Sequence, residues 1–148
     1  MQISELLREE NMTLDLQATE RIEASKELAE LLYASGSISD REEILRAALQ
    51  REEEFSTGIG FQVAIPHAKS STVEKASIAY GFSKQGVEWP SEDGENPKMI
   101  FFIVVPETAL NEHLRLLAKI ARKLIHPEVR EKILNAQTFE DVISAFDD

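Results

Sequence analysis

The sequence predicts an α/β fold in which a mixed β-sheet is sandwiched between helices. Short apolar runs of strand length alternate along the chain with longer segments whose apolar residues repeat at helical spacing. The run "MIFFIVV", residues 99–105, is apolar at every position, which is typical of a central strand covered on two sides. With 148 residues, of which 43% are hydrophobic, the chain is long enough to bury a core. We therefore expect one domain over residues 1–148.

The first forty residues are expected to form a strand and a helix. Residues 12–16, "MTLDL", alternate apolar and polar side chains, as a short half-buried strand does. Residues 18–33 then carry apolar side chains at helical spacing, and Gly36 is placed to end that helix. The inward stripe of this helix is predicted to consist of Ala18, Ile22, Ala29 and Leu32.

A second helix is predicted to begin at a capping box formed by Ser39 and Glu42. Arg51 lies on the inward stripe of this helix, in its last turn. Such an arginine either extends along the helix end toward solvent or aims its planar guanidinium at an anion held by the next loop. The other inward residues are expected to be Ile44, Leu45, Ala48 and Leu49.

The second half of the chain is expected to contain three strands followed by three helices. The first strand, "FQVAI" at 61–65, is stopped by Pro66. Trp89 lies in the turn-rich stretch "GVEWPSEDGENP" and is expected to tuck against the sheet edge. The other strands are predicted over 76–83, "ASIAYGFS", and 99–105, and the helices over about 111–125, 128–136 and 139–146.

Composition excludes several function classes. The net charge of −11 argues against binding nucleic acid or an anionic membrane surface, because nothing basic clusters enough to neutralise phosphates. With no cysteine, the chain has no disulfide and no thiolate nucleophile or metal ligand. No signal-peptide core is present at the amino terminus, and the longest apolar run is too short to span a bilayer. We expect a cytoplasmic protein.

Two of the three histidines can be interpreted from their place on a helix. His126, before Pro127, is expected to do no more than ease the exposed carbonyls of a helix end. His113 lies in the first turn of a predicted helix and shares its inward face with Leu117 and Ile120. It is either a core histidine with a satisfied hydrogen bond or a neutral imidazole that donates to a phosphate oxygen at the helix start.

The third histidine, His67, follows Pro66 at the end of a short strand. The glycines of "STGIG", Gly58 and Gly60, allow close backbone approach, and Ser56 and Thr57 add hydroxyls. The amides of this loop are expected to form a nest for an oxyanion. No Lys-Ser or Lys-Thr follows the glycines, so the loop is not a nucleotide-binding P-loop.

Three mechanisms that use a histidine can be compared. A zinc site asks for closely spaced ligands such as H-E-x-x-H, and a serine hydrolase asks for G-x-S-x-G; neither is present. Nucleophilic catalysis by the imidazole itself asks only for a histidine, donors that stabilise an anion, and a partner that brings the phosphoryl group. Only this last mechanism lacks none of its parts.

The stretch "REEEFSTGIGFQVAIPHA", residues 51–68, closely resembles the active-site signature of enzyme IIA of the fructose/mannitol class. These proteins are phosphocarriers of the phosphoenolpyruvate-dependent sugar phosphotransferase system. The constrained positions of the signature are an acidic or amide residue, here Glu52, the pair Ile59-Gly60, and the run "VAIPHA" that contains His67. The resemblance continues through "SKQGVEWPSEDG" and "EHLRLLAKIARKL" and covers most of the chain. Phe55 departs from it, since many relatives have glycine there.

The resemblance implies a single enzyme IIA domain of this type over 1–148 and a complete phosphoryl relay. In the family, the histidine at the position of His67 is phosphorylated on Nε2 by HPr and passes the group to a cysteine of enzyme IIB. The residues at Arg51 and His113 are the family's arginine and second histidine, which we expect to stabilise the phosphoryl oxygens. Ser56, Thr57, Gly58 and Gly60 are expected to contribute less. Neither step requires a metal or another cofactor.

Two functions remain open after the resemblance is taken into account. The first is a stand-alone phosphocarrier that supplies a permease for fructose or a related sugar, with its enzyme IIB on another polypeptide because this chain has no cysteine. The second is a regulator of the nitrogen branch, which shares the signature but signals through its phosphorylation state. The stretch "SKQGVEWPSEDG" is more similar to the fructose type, so transport is favoured.

Overall fold

The computed structural model describes residues 2–109 and 111–147, with the side chains of Glu112 and His113 left out of that description. The first half contains α1 (Ile3–Leu6), β1 (Leu7–Thr13), α2 (Arg21–Ala34), α3 (Arg41–Glu54), β2 (Gly58–Gly60), β3 (Val63–Ala64) and β4 (His67–Ser70). The second half contains β5 (Ser77–Phe82), β6 (Met99–Pro106), α4 (Glu112–Leu124), α5 (Pro127–Leu134) and α6 (Phe139–Ser144).

The six strands form one mixed sheet with β6 at its centre. On one side β6 pairs antiparallel with β5, and β5 pairs parallel with β1 at the edge. On the other side β6 pairs parallel with both β3 and β4, and β2 pairs antiparallel with β3. The expectation of a central strand at 99–105 is therefore confirmed.

Alternate residues of β6 face two separate hydrophobic cores. Met99, Phe101, Ile103 and Val105 belong to the first core, where α1, α4, α5 and α6 cover the sheet. Ile100, Phe102 and Val104 belong to the second core, where α2 and α3 cover the opposite face. The strand contributes to both cores because successive side chains of a strand point to opposite faces. This arrangement confirms the predicted α/β sandwich of a mixed sheet between helices.

The strand predicted over 12–16 lies earlier in the chain and overlaps β1 only at its end. Leu7 and Met12 pair with β5, but the charged residues between them are exposed. Charged side chains are common on edge strands, where they discourage pairing with other molecules. They also hide the apolar alternation by which a strand is recognised, and that is why the sequence placed β1 too late.

Both helices on the second face begin later than predicted. The carboxylate of Glu20 caps α2, so Ala18 lies before the helix, and Ile22, in the first turn, is 43% exposed rather than inward. The side chain of Asp40 caps α3 by accepting from the amide of Glu43 at 3.1 Å. The predicted capping box of Ser39 and Glu42 is therefore wrong by one residue, because a carboxylate next to Ser39 takes the capping position. Gly36 follows the end of α2 with φ +81°.

The predicted strand 61–65 is a hairpin instead. Phe61 and Gln62 form the turn between β2 and β3, and both have left-handed backbone angles, φ 58° and 64°. Two consecutive left-handed residues give the twist that a two-residue hairpin needs, although bulky side chains rarely adopt them. After Pro66 the chain returns to the sheet as β4, so His67 begins a strand rather than a loop.

The remaining elements agree with the sequence. The strand predicted over 76–83 is β5, although its central residues are buried on both faces. The three carboxyl-terminal helices are α4, α5 and α6, each within a few residues of its predicted range. Trp89 is buried, and it packs in the second core. Of the inward residues predicted for α3, Ile44 and Ala48 are buried, and Leu45 and Leu49 are half-buried.

Candidate functional site

His67 is held at the start of β4 by its neighbours on the chain and across the sheet. It pairs in parallel register with Ile103 of the central strand, whose amide donates to the carbonyl of Pro66 at 2.9 Å. Only 8% of the residue is exposed. His67 therefore belongs to a strand that is paired with the centre of the sheet, and only a small part of the residue is exposed.

The Nδ1 atom of His67 lies 3.2 Å from the carbonyl oxygen of Ile65. A carbonyl oxygen only accepts, so the hydrogen bond places the proton on Nδ1 of the neutral ring. The lone pair is then on Nε2, the atom that must attack in nucleophilic catalysis. The oxygen that fixes the tautomer of His67 is therefore the main-chain carbonyl of Ile65.

A buried carboxylate, Glu52, organises the loop between α3 and β2. Both of its carboxylate oxygens lie 3.2 Å from the amide nitrogen of Thr57, and the Thr57 hydroxyl also donates to it. The guanidinium of Arg21, on α2, approaches the same carboxylate at 3.4 Å. Glu52 is only 5% exposed, and these donors compensate its carboxylate for the hydration that is lost on burial.

The same loop is bonded directly to the residue that orients His67. The carbonyl of Thr57 accepts from the amide of Ile65 at 2.9 Å. A continuous series of hydrogen bonds therefore runs from Glu52 through Thr57 and Ile65 to the imidazole. The sequence identified Glu52 only as a matching position of the signature. Its structural role had a signal, because Glu52 lies four residues after Ala48 on the buried stripe of α3.

The residues expected to bind phosphate in the loop use several of their polar groups inside the protein. The amide of Thr57 donates to Glu52, and the amide of Gly58 donates to the Ser56 hydroxyl at 3.2 Å. The Ser56 hydroxyl in turn donates to the carbonyl of Pro90. A Cβ on Gly58 would lie 2.4 Å from that carbonyl oxygen, so close packing explains this glycine. Gly60 ends β2 with φ +88°. Phosphate binding by these residues stays a prediction.

Arg51 lies half-buried in the last turn of α3, as the sequence indicates. Its Nη1 donates to the carbonyl of Phe55 at 3.0 Å, and its guanidinium carbon lies 6.0 Å from the centre of the Phe55 ring. Phe55 itself is 74% exposed. A guanidinium carries five N–H donors, so one bond to a carbonyl leaves it the capacity to bind an anion.

His113 is the second residue of α4, and the structure describes only its backbone. Helical spacing places position 113 on the same face of α4 as Leu116 and Ile120, which pack in the first core. Ile103, the register partner of His67, belongs to that core too. The two histidine positions therefore belong to the same side of the sheet.

A second loop fixes the hairpin that precedes His67. The carboxylate of Asp93 accepts from the amide of Glu95 at 3.1 Å and from the amide of Phe61 at 3.0 Å. These backbone donors hold the pKa of Asp93 below its usual range, because they favour the ionised form. Asp93 thus ties the strained Phe61–Gln62 turn to the loop that follows β5.

The part of the chain that the structure describes offers neither a metal site nor a membrane-spanning helix. No group of three or more histidine, aspartate or glutamate side chains there is arranged to hold a metal ion. Within the same residues, no helix combines the length and the hydrophobicity needed to cross a membrane.

Comparison with known proteins gives a consistent picture. The family model "Phosphoenolpyruvate-dependent sugar phosphotransferase system, EIIA 2" matches residues 5–148. The fructose-specific EIIA component of Haloferax volcanii is 38% identical over 139 residues, which cover 88% of this chain and 90% of that protein. The fructose-specific EIIABC component of Bacillus subtilis is 36% identical over 97% of this chain, which spans only 22% of its length.

Solved structures show the same fold. The nitrogen regulatory protein IIA-Ntr from Neisseria meningitidis superimposes with a TM-score of 0.90 at 30% identity, covering 97% of this chain and 98% of that one. The mannitol enzyme IIA of Escherichia coli superimposes with a TM-score of 0.80 at 23% identity, over 93% of this chain and 96% of that one. The family model, the sequence relatives and these folds together confirm the resemblance, and the chain belongs to the EIIA 2 family of the phosphoenolpyruvate-dependent sugar phosphotransferase system.

Proposed function

We propose that His67 accepts a phosphoryl group on Nε2 from the phosphohistidine of HPr and passes it to a cysteine of enzyme IIB, for uptake of fructose or a related sugar. The observation that carries this proposal is the hydrogen bond between Nδ1 of His67 and the carbonyl of Ile65, because it leaves Nε2 as the nucleophile. Membership of the EIIA 2 family supports the reaction, and the fructose-specific name of the Haloferax volcanii relative supports the sugar class.

The two transfers balance without a further reactant. In the first, the P–N bond of the donor's phosphohistidine breaks as a P–N bond to Nε2 of His67 forms. In the second, that bond breaks as a P–S bond to the acceptor's cysteine thiolate forms, and Nε2 recovers its lone pair. The Ile65 carbonyl keeps the Nδ1 proton in place throughout, so the ring never needs to change tautomer. Alignment and charge stabilisation supply most of the catalysis in such transfers.

We assign Arg51 and His113 to stabilisation of the phosphoryl oxygens. The free donors of the Arg51 guanidinium suit a phosphoryl group geometrically, since a planar fork binds two oxygens at once. Position 113 supplies an imidazole at the start of α4, on the side of the sheet to which His67 belongs. We assign Ser56, Thr57, Gly58 and Gly60 a lesser share, chiefly through the shape of the loop that they form.

The partner surface is expected to use the negative charge of the protein. A net charge of −11 attracts a donor whose active histidine is surrounded by positive residues, and this raises the rate of encounter. Phe55 and Phe61, which flank the loop before His67 and its hairpin, are exposed and offer a partner apolar contact area. Enzyme IIB as acceptor is supported by a fold neighbour at 22% identity, the mannitol enzyme IIA of Escherichia coli, solved in complex with phosphorylated enzyme IIB.

A regulatory function of the nitrogen type is the second candidate. It is favoured by one observation, the TM-score of 0.90 at 30% identity to the nitrogen regulatory protein of Neisseria meningitidis. Both functions use the same phosphohistidine. They differ in the acceptor, because a transport component must deliver its phosphoryl group to enzyme IIB.

The test measures the intact mass of the protein after incubation with phosphoenolpyruvate, enzyme I and HPr. We expect one acid-labile phosphoryl group on the wild type and on His126→Gln, and none on His67→Gln. The His126 variant is the matched control, because it removes an exposed imidazole by the same substitution. A phosphorylated His67→Gln protein would contradict the proposal.

A second stage separates transport from regulation. The phosphorylated protein is mixed with a fructose-type enzyme IIB, and the loss of the phosphoryl group from His67 is followed with time by intact mass. Rapid transfer to the acceptor's cysteine supports transport. Stable phosphohistidine in the presence of an enzyme IIB that is active with its own enzyme IIA supports regulation.

A further inference from the structure

A cavity of about 570 Å³ lies between the ends of four elements on the first-core side of the sheet. It is lined by α1, the second half of α4, the first turn of α5 and the end of the chain after α6. Neither His67 nor Arg51 lines it. Its size falls within the range of natural small-molecule sites.

The cavity brings together unlike surfaces. Lys119, Arg122 and Lys123 of α4 line one part, and the exposed imidazole of His126 lies beside them. Ile3, Val129 and Phe146 form an apolar part. Among the described lining residues the only acidic one is Glu128, which is exposed, with its carboxylate 3.7 Å from Nδ1 of His126.

The charge of this region is opposite to that of the protein. Residues 113–127 contain four lysines and arginines and no aspartate or glutamate, in a chain with 27 acidic and 16 basic residues. Three of those four cations line the cavity. The fourth, Arg115, is exposed on the same helix outside it.

We propose that this cavity binds a small phosphorylated metabolite, with its phosphate at the α4 cations and its organic part on the apolar residues. Arginine and lysine are the residue types that bind phosphate, and an apolar wall beside them suits an organic phosphate better than the free ion. The net charge of −11 repels nucleic acid and anionic membranes, which engage a wide surface, far more than it repels a ligand with one phosphate.

The cations also have a simpler use, which the test must separate from binding. Arg122 and Lys123 lie in the last turn of α4, where positive charge stabilises the helix dipole. That role predicts a change in stability on substitution and no dependence on any ligand. A ligand role predicts a change in affinity that is confined to residues lining the cavity.

The experiment is an NMR titration of the ¹⁵N-labelled, unphosphorylated protein with three probes, namely fructose 1-phosphate, adenosine 5′-monophosphate and inorganic phosphate. We expect saturable shifts of the amides of residues 119–129 and Phe146 with at least one organic probe, which binds more tightly than inorganic phosphate. Arg122→Gln should weaken that probe about tenfold or more, because a charge-assisted hydrogen bond is lost. Arg115→Gln, with the same loss of charge on the same helix, should weaken it less than about twofold.

Four results would overturn the proposal. One is the absence of saturable shifts with every probe, and another is a set of shifts confined to residues 56–67, which would place the anion at the His67 loop. The third is an equal effect of the two arginine variants, because long-range charge alone would then explain the binding. Tightest binding of inorganic phosphate would likewise reject an organic ligand. No result depends on phosphorylation of His67, so the outcome is independent of the function proposed above.

Discussion

Replacing Glu52 by alanine tests whether this buried carboxylate organises the loop before His67. The substitution leaves the amide and the hydroxyl of Thr57 without their acceptor. Water cannot easily replace that acceptor, because Thr57 is only 6% exposed. A buried donor left unsatisfied costs about 1–3 kcal/mol, and the hydroxyl can rotate toward another acceptor. Arg21 loses a contact of 3.4 Å but is partly exposed and can be hydrated. We therefore expect a loss of about 3 kcal/mol in the free energy of unfolding.

Urea unfolding followed by tryptophan fluorescence measures this loss, because Trp89 is the single tryptophan and is buried. A typical domain has a stability of about 5–15 kcal/mol, so the variant should remain folded. Glu52→Gln keeps one carbonyl-type oxygen for the Thr57 amide and should lose only about 1 kcal/mol. Glu53→Ala, at the exposed neighbouring position, is the matched control and should change stability by less than about 0.5 kcal/mol.

The functional consequence follows from the hydrogen bonds that join Glu52 to His67 through Thr57 and Ile65. Glu52→Ala should slow phosphorylation of His67, and Glu52→Gln should recover most of the rate. If the free energy of unfolding of Glu52→Ala lies within about 0.5 kcal/mol of the wild-type value, the Glu52 carboxylate does not stabilise the loop, and its proposed structural role is wrong.

Three further substitutions test separate contacts. Gly58→Ala places a Cβ 2.4 Å from the carbonyl oxygen of Pro90 and should destabilise the fold by about 1–3 kcal/mol in urea unfolding; an unchanged midpoint would mean that the loop yields freely. The Tyr80 hydroxyl is buried without a partner among the described residues, and burial raises its pKa. Tyr80→Phe should therefore leave the free energy of unfolding unchanged or raise it by about 1 kcal/mol. It should also remove part of the stability loss of the wild type above about pH 10, where the tyrosine ionises in the unfolded chain. Because the pKa of Asp93 is lowered in the folded protein, its hydrogen bond with the Phe61 amide is complete above about pH 4 and is lost as the pH falls through the lowered pKa. The NMR chemical shift of the Phe61 amide should follow this titration in the wild type, and Asp93→Asn should abolish the pH dependence.

The layered fold was predictable because its strongest signals are purely local. The fully apolar run of β6 requires cover on both faces, and the periodic segments of α3 and α4 provide it. Element boundaries were less predictable, since they depend on competition between neighbouring groups. Asp40 rather than Ser39 caps α3, although both residue types are good caps.

The hairpin before His67 could not be read from the sequence, because its turn has no typical turn residues. Phe61 and Gln62 adopt left-handed angles, and they are held there by groups distant in sequence, among them Asp93, which accepts from the Phe61 amide. The motif singles out His67 in the sequence, whereas the acceptor for its Nδ1 is a main-chain carbonyl, which no side-chain pattern encodes. The internal hydrogen bonds of the Thr57 and Gly58 amides were not foreseen either, although their acceptors are the side chains of Glu52 and Ser56 in the same segment.

The central position of β6 has a consequence for how the domain opens. Because its side chains alternate between the two cores, neither core can separate from the sheet without exposing apolar residues of this strand. The two halves of the sandwich should therefore unfold as one cooperative unit, and the amides of β6 should exchange with solvent only through global unfolding. His67 pairs with this strand at Ile103, so the proposed nucleophile is attached to the part of the molecule that we expect to open last.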